Sequence, residues 1–147
     1  MSEISGSKYE PKILGICCRW CSYAAADLAG AMRLQYPPNV RIMMVPCTGR
    51  VDVLHMLKPF EDGADGVFLS GCLLGDCHYK AGNYKAQKRV VHAKKLLESA
   101  GIAPERLEMY FNSSAMGPQF AQTCRDFTEQ VRALGPWLTP AARDIPA

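Results

Sequence analysis

Three short apolar runs in this chain each end at a cysteine. Ile13-Leu14-Gly15-Ile16 leads into Cys17, Cys18 and Cys21. Val40-Arg41-Ile42-Met43-Met44-Val45-Pro46 leads into Cys47, and Gly66-Val67-Phe68-Leu69-Ser70-Gly71 leads into Cys72 and Cys77. Runs of this length bounded by Gly, Pro and polar residues read as strands. If the strands are parallel, their C-terminal ends lie along one edge of the sheet. Loops that follow three adjacent strands about 4.8 Å apart then span roughly 10 Å. Sulfur from separate loops would converge on one crevice, which suits a metal or iron–sulfur centre better than scattered structural thiols.

The segments between the runs carry helical signals. The pattern predicts strands over 12–17, 40–46, 66–71 and 106–111, and helices over 22–34, 51–60, 83–100 and 117–134. Val51, Leu54, Leu57 and Phe60 recur at helical spacing. Tyr36-Pro37-Pro38-Asn39 stops the first helix, Gly101 is a natural C′ residue for the third, and Gly135-Pro136 closes the last. Strand–helix alternation implies βαβ units, whose right-handed crossovers place helices on both faces of the sheet. The expected fold is one doubly wound, Rossmann- or flavodoxin-like α/β domain with a four-stranded parallel sheet. It occupies residues 11–136, between an N-terminal arm (1–10) and a C-terminal tail (137–147). Ligands of such sheets sit beyond the carboxyl ends of the strands, at a topological switch point.

At 147 residues a single domain buries enough surface to fold without disulfides. No run of about 18 apolar residues suggests a membrane span. The polar start Met1-Ser2-Glu3-Ile4-Ser5-Gly6-Ser7-Lys8 lacks a signal-peptide core. The expected compartment is the cytoplasm, where close cysteines mean metal or redox work more often than disulfides. A net charge of +3 with dispersed basic residues gives no footprint for nucleic acid.

Cys18-Arg19-Trp20-Cys21 is a C-x-x-C pair at the junction of the first strand and first helix, and Cys72 and Cys77 form a C-x4-C pair in a glycine-bounded loop. Metal-free, clustered thiolates would repel one another, a conflict that a metal removes. The C-x4-C gap falls within the range of iron–sulfur loops, whereas zinc closes redox-silent four-thiolate sites from tighter pairs. Cys17, alternating with Cys18 on the strand, and Cys124, in mid-helix, read as small apolar residues. His78 is a candidate ligand or a loop residue bonded to the backbone, and His55 and His92 lie on predicted helices. Trp20 is either a shield for the site or an interface aromatic. Arg19, Arg50 and Lys80 flank the cysteine loops, where cations favour a reduced, more negative centre. No nucleophile–base pair and no phosphate-cradling glycine loop appears, so no catalytic residue is expected. Two further readings stand beside the iron–sulfur one. One is a thiol–disulfide oxidoreductase using Cys18 and Cys21, with a low-pKa thiolate at Cys21. The other is a zinc-stabilised interaction module.

Several stretches together resemble the delta subunit of methyl-viologen-reducing hydrogenase. They are Cys18-Arg19-Trp20-Cys21-Ser22-Tyr23, Asp27-Leu28-Ala29-Gly30, Cys47-Thr48-Gly49-Arg50-Val51-Asp52, Gly63-Ala64-Asp65-Gly66-Val67, Gly71-Cys72, Gly75-Asp76-Cys77-His78-Tyr79, Gly82-Asn83 and Leu134-Gly135-Pro136. The resemblance implies a small electron-transfer protein with one [2Fe-2S] cluster and no substrate of its own. It would pass electrons between a hydrogenase or formate dehydrogenase module and a flavin- and iron–sulfur-containing subunit of a heterodisulfide-reductase-type complex. The family's cysteines match Cys18, Cys21, Cys47, Cys72 and Cys77. Of these, Cys18, Cys21, Cys72 and Cys77 are favoured as ligands because paired ligands share a loop, with Cys47 as the spare. The family usually has His-Pro where this chain has Leu73-Leu74, which removes a polar group beside the site. Trp20, Leu73, Leu74 and Tyr79 give the cysteine edge an interface-like composition.

Overall fold

The computed structural model describes residues 9–33, 39–73 and 81–137. Strand β1 (Ile13–Cys18) is followed by helix α1 (Ser22–Ala31), strand β2 (Val40–Val45), a 3-10 turn (Thr48–Arg50) and helix α2 (Val53–Glu61). Strand β3 (Gly66–Gly71), helix α3 (Gly82–Ser99), a second 3-10 turn (Pro104–Arg106), strand β4 (Leu107–Phe111) and helix α4 (Gly117–Leu134) complete the order. The strands form one all-parallel sheet in the order β2-β1-β3-β4. The expected doubly wound α/β architecture is therefore what the chain adopts.

Element ends follow local chemistry. Helix α2 starts later than its apolar period suggests because Asp52 caps it. Asp52 Oδ1 accepts from the Val53 amide at 2.7 Å, and the Asp52 amide donates to His55 Nδ1 at 3.0 Å. Residues 48–50 wind into the 3-10 turn instead. Helix α1 gives way at Met32 and Arg33, the latter in left-handed backbone (φ 58°). Gly101 takes φ 82° just after the α3 cap residue Ala100, the geometry a C′ glycine serves.

Side chains of β3 alternate between two cores. Val67 and Leu69 join Ile16, Met56, Phe60, Val90 and Leu97 under α2 and α3. Phe68 faces the other way, with Ile13, Cys17, Phe120, Cys124 and Phe127 under α1 and α4. The Phe68 ring meets Tyr110 and Phe127 edge-on, with centroids 5.9 and 5.5 Å away, contacts worth about 0.5–1.5 kcal/mol each beyond area burial. Gly15 lies opposite Phe68 in register, and a Cβ there would stand 2.5 Å from the ring. That pair explains why β1 carries a glycine in mid-strand. Arg106 locks the far end of the molecule: its buried guanidinium donates to the carbonyls of Asp65 (3.0 Å), Leu134 and Gly135.

The topology places the site. After β1 the chain leaves into α1 on one face, and after β3 it leaves into α3 on the other. Because β1 and β3 are neighbours, the crevice between their C-terminal ends is the switch point of the sheet. Among the described residues, no helix is long and apolar enough to cross a membrane.

Candidate metal centre

Three cysteines meet in that crevice. Cys18 is the last residue of β1, Cys21 precedes the first turn of α1, and Cys72 follows β3 directly. The parallel register that sets Cys17 beside Ser70 brings the two loops level. The turn between Cys18 and Cys21 is pinned by the Arg19 amide on the Val45 carbonyl (2.8 Å) and the Cys21 amide on the Cys18 carbonyl (3.4 Å). The three Sγ atoms lie within 4.8 Å of one another, and Cys18 and Cys72 are separated by 3.8 Å. All three residues are at most 5% exposed. Asn83, fully buried in the first turn of α3, holds the Cys72 loop by donating Nδ2 to the carbonyls of Cys72 (2.8 Å) and Leu73 (3.0 Å).

Hydrogen bonds within the trio shift its thiols in opposite directions. The Cys21 thiol donates to Cys18 and, against the opposing effect of burial, the Cys18 pKa falls to about 6, with a further contribution from Cys72. Cys21 is pushed well above the ordinary thiol range, first by giving its proton to Cys18 and then by burial. Cys17 and Cys124 stand apart in the core under α1 and α4, fully buried. Burial raises Cys17 strongly and lifts Cys124 to about 12. No disulfide involves any of the six described cysteines.

Cys47 is buried too, but outside the trio. It caps the 3-10 turn, its Sγ accepting from the Gly49 amide at 3.4 Å. It borders a cavity of about 370 Å³ shared with Arg50, Gly82 and Lys85. Cys77, His78, Tyr79, Lys80 and Leu74 lie outside the described residues. Trp20 is 44% exposed, with the Arg19 guanidinium 5.3 Å from its ring centre. Together with Leu73, Asn112 and Ser113, Trp20 walls a second cavity of about 270 Å³ that reaches Cys21 and Cys72. His55 is absorbed by the α2 cap and His92 is exposed.

The sequence reading missed the polar residues that support the trio. Ser22, Ser70, Asn83 and Asn112 are all at most 2% exposed. The available signals were a hydroxyl inside the apolar run of β3, too common to single out, and the Gly82-Asn83 stretch of the family resemblance, which gives the asparagine no role.

The donor set fits a thiophilic metal. It is all sulfur, with no carboxylate or imidazole in the group. The 3.8 Å between Cys18 and Cys72 also matches the edge of a tetrahedron with metal–sulfur bonds of about 2.3 Å. The comparisons with known proteins agree. A family profile described as methyl-viologen-reducing hydrogenase, delta subunit, matches residues 13–135. The vhc iron-sulfur subunit of the F420-non-reducing hydrogenase of Methanococcus voltae is 48% identical over 128 residues, 87% of this chain and 89% of that protein. The vhu iron-sulfur subunit of the F420-non-reducing hydrogenase of Methanopyrus kandleri is 48% identical over 127 residues, 86% of this chain and 96% of that protein. One subunit of the ferredoxin/F(420)H(2)-dependent CoB-CoM heterodisulfide reductase of Methanosarcina acetivorans is 39% identical over 126 residues, 86% of this chain but only 16% of that longer protein. With its cysteine-bearing switch crevice and a family match running from β1 to the end of α4, this chain belongs to the methyl-viologen-reducing hydrogenase delta-subunit family.

Proposed function

We propose that this chain is an electron-transfer subunit carrying one [2Fe-2S] cluster, held by Cys18, Cys21, Cys72 and Cys77, with Cys47 as a non-ligand neighbour. The observation that carries this is the convergence of three buried thiols from two loops within 4.8 Å, in a family whose relatives include named iron-sulfur subunits. A two-iron cluster supplies reversible one-electron storage. The chain's own residues supply the rest. Burial excludes water from the sulfurs, Asn83 fixes the Cys72 loop, and Arg19, in the turn between Cys18 and Cys21, adds positive charge near a centre that becomes more negative on reduction.

A one-cluster protein without a substrate site needs partners at both ends of its electron path. Relatives of this chain are named as hydrogenase subunits and as part of a heterodisulfide reductase. We therefore place it between a hydrogenase- or formate dehydrogenase-type module and a flavin- and iron–sulfur-containing heterodisulfide-reductase-type subunit. It would act in the cytoplasm, a setting that suits six cysteines outside any disulfide. The exposed Trp20 and the cavity it walls over Cys21 and Cys72 make the cysteine edge the contact surface of choice. Residues 11–136 form the working domain, flanked by an arm and a tail.

Iron and acid-labile sulfide analysis of anaerobically purified full-length protein, with EPR after reduction, tests the reading. Two irons and two sulfides per chain and an EPR signal that appears on reduction are expected. Zinc without iron would instead favour the interaction-module reading, and a colourless, metal-free protein the thiol one.

A further inference from the structure

A buried line of polar groups runs from the end of β4 to the sulfur of Cys21. Asn112 Nδ2 lies 2.6 Å from Ser70 Oγ, Ser70 Oγ lies 2.6 Å from Ser22 Oγ, and Ser22 Oγ lies 3.7 Å from Cys21 Sγ. Ser22 and Ser70 are fully buried and Asn112 is 2% exposed. Each member is fixed by the backbone that carries it. Ser70 sits in the completely buried strand β3, Ser22 opens α1, and the Asn112 amide donates to the Gly71 carbonyl at 2.8 Å. A hydroxyl carries one proton and can both give and receive. The Asn112 amide is a donor, so Ser70 receives from it and passes its own proton toward Ser22. Ser22 then has one acceptor left in the line, the sulfur of Cys21. A metal-bound thiolate has no proton to return, so the reverse polarity is closed at that end.

We propose that Asn112, Ser70 and Ser22 form a polarised hydrogen-bond chain that ends as a donor to Cys21 Sγ and raises the reduction potential of the centre this cysteine helps to hold. The inference rests on the reading of Cys21 as a ligand. A hydrogen bond donated to a ligating sulfur draws off negative charge and stabilises the reduced, more negative state. These three are positioning and tuning residues that leave the cluster's ligand set untouched. The chain also crosses from β4 through β3 to α1, so the tuning donor is held by three rigid elements rather than by a mobile loop.

The test is redox titration of the anaerobically purified, cluster-loaded full chain, followed by EPR, in Ser22→Ala, Ser70→Ala and Asn112→Ala. All three should titrate at more negative potential than wild type. The shift should be greatest for Ser22→Ala and smallest for Asn112→Ala, and Ser22→Thr, which keeps the hydroxyl, should move back toward wild type. A second measurement needs no variant. Resonance Raman spectra of the wild type in deuterated buffer should show a shifted iron–cysteine stretching band, because the exchangeable Ser22 hydroxyl proton is hydrogen-bonded to the sulfur. Iron and sulfide content separates the two levels of failure. A wild type that holds no iron overturns the metal reading and this inference with it. A fully loaded wild type with no deuterium-sensitive band overturns the hydrogen-bond chain alone. So would loaded Ser22→Ala and Ser70→Ala proteins that titrate at the wild-type potential.

Discussion

Gly49→Ala is the sharpest available test of how the cysteine loops are held. A Cβ on Gly49 would lie 2.7 Å from Gly82 Cα, 3.1 Å from its carbonyl oxygen and 3.2 Å from its carbonyl carbon. All three are backbone atoms at the start of α3, so no side chain can swing away. Reaching ordinary contact at 3.4 Å requires a separation of about 0.7 Å between the Cys47 turn and α3. The helix resists, because Asn83 ties it to the Cys72 loop and Arg89 ties it to the carbonyls of Gly49 and Val51. Forced overpacking of this kind costs about 1–3 kcal/mol, and weakening the Arg89 contact adds about 1 kcal/mol. For a chain of this size each kcal/mol lowers the melting temperature by about 2–4 °C, so a drop of about 4–16 °C is expected. Circular dichroism melts of the anaerobic protein at one scan rate read it directly, with iron content measured in parallel. Iron should stay bound, since Cys47 is outside the sulfur group. Gly30→Ala is the control: it adds a methyl in open space on α1 and should stabilise by up to about 1 kcal/mol. A Gly49→Ala protein that melts with the wild type would refute the argument from backbone crowding.

Further outcomes follow from the same geometry. Cys18→Ser, Cys21→Ser and Cys72→Ser should each weaken metal retention at least about tenfold, while Cys47→Ser and Cys17→Ala keep the iron; metal analysis after desalting reads this. Arg106→Met strips the donor from the carbonyls of Asp65, Leu134 and Gly135. It should cost about 3 kcal/mol or more in denaturant unfolding. Asn83→Ala leaves the Cys72 and Leu73 carbonyls short of a donor. It should cost about 1–3 kcal/mol and speed iron loss to a chelator. Cys124 has its pKa raised from 9.0 to about 12 by burial, so its share of stability is intact below pH 9 and is lost as pH rises toward 12. That share changes by about 1.4 kcal/mol per pH unit, and Cys124→Ala should flatten the alkaline stability profile by that amount.

The strands and helices were legible because local chemistry and global topology agree. Gly66 to Gly71 is mostly apolar and β-forming between turn residues, and β1 and β3, buried on both faces, show the near-continuous apolar runs of central parallel strands. Surface detail was less legible. Val91 and Leu96 look like core residues of the third helix but are 51% and 40% exposed, because Val90 and Leu97 occupy the inward stripe and each neighbour is rotated about a quarter-turn away. The meeting of Cys18 and Cys21 with Cys72 was readable from strand ends alone. Cys47, the spare of the sequence reading, lies outside that group, since side-chain direction beyond a strand end depends on the turn that follows. The Ser22–Ser70 and Ser70–Asn112 bonds join residues 48 and 42 positions apart, and no local pattern announces a hydroxyl whose partner lies that far along the chain.

The adjacency of β1 and β3 has a mechanical meaning. Cys18 and Cys72 are 54 positions apart, and everything that separates them, including α1, β2 and α2, lies inside the loop their sulfurs would close. A metal bridging the two acts as a cross-link on that loop, and closing a loop of this length removes unfolded-chain entropy worth about 4 kcal/mol. Loss of metal would then loosen half of the sheet at once rather than a single hairpin. In an electron-transfer subunit, losing the redox centre would therefore also lower the stability of the fold by about 4 kcal/mol.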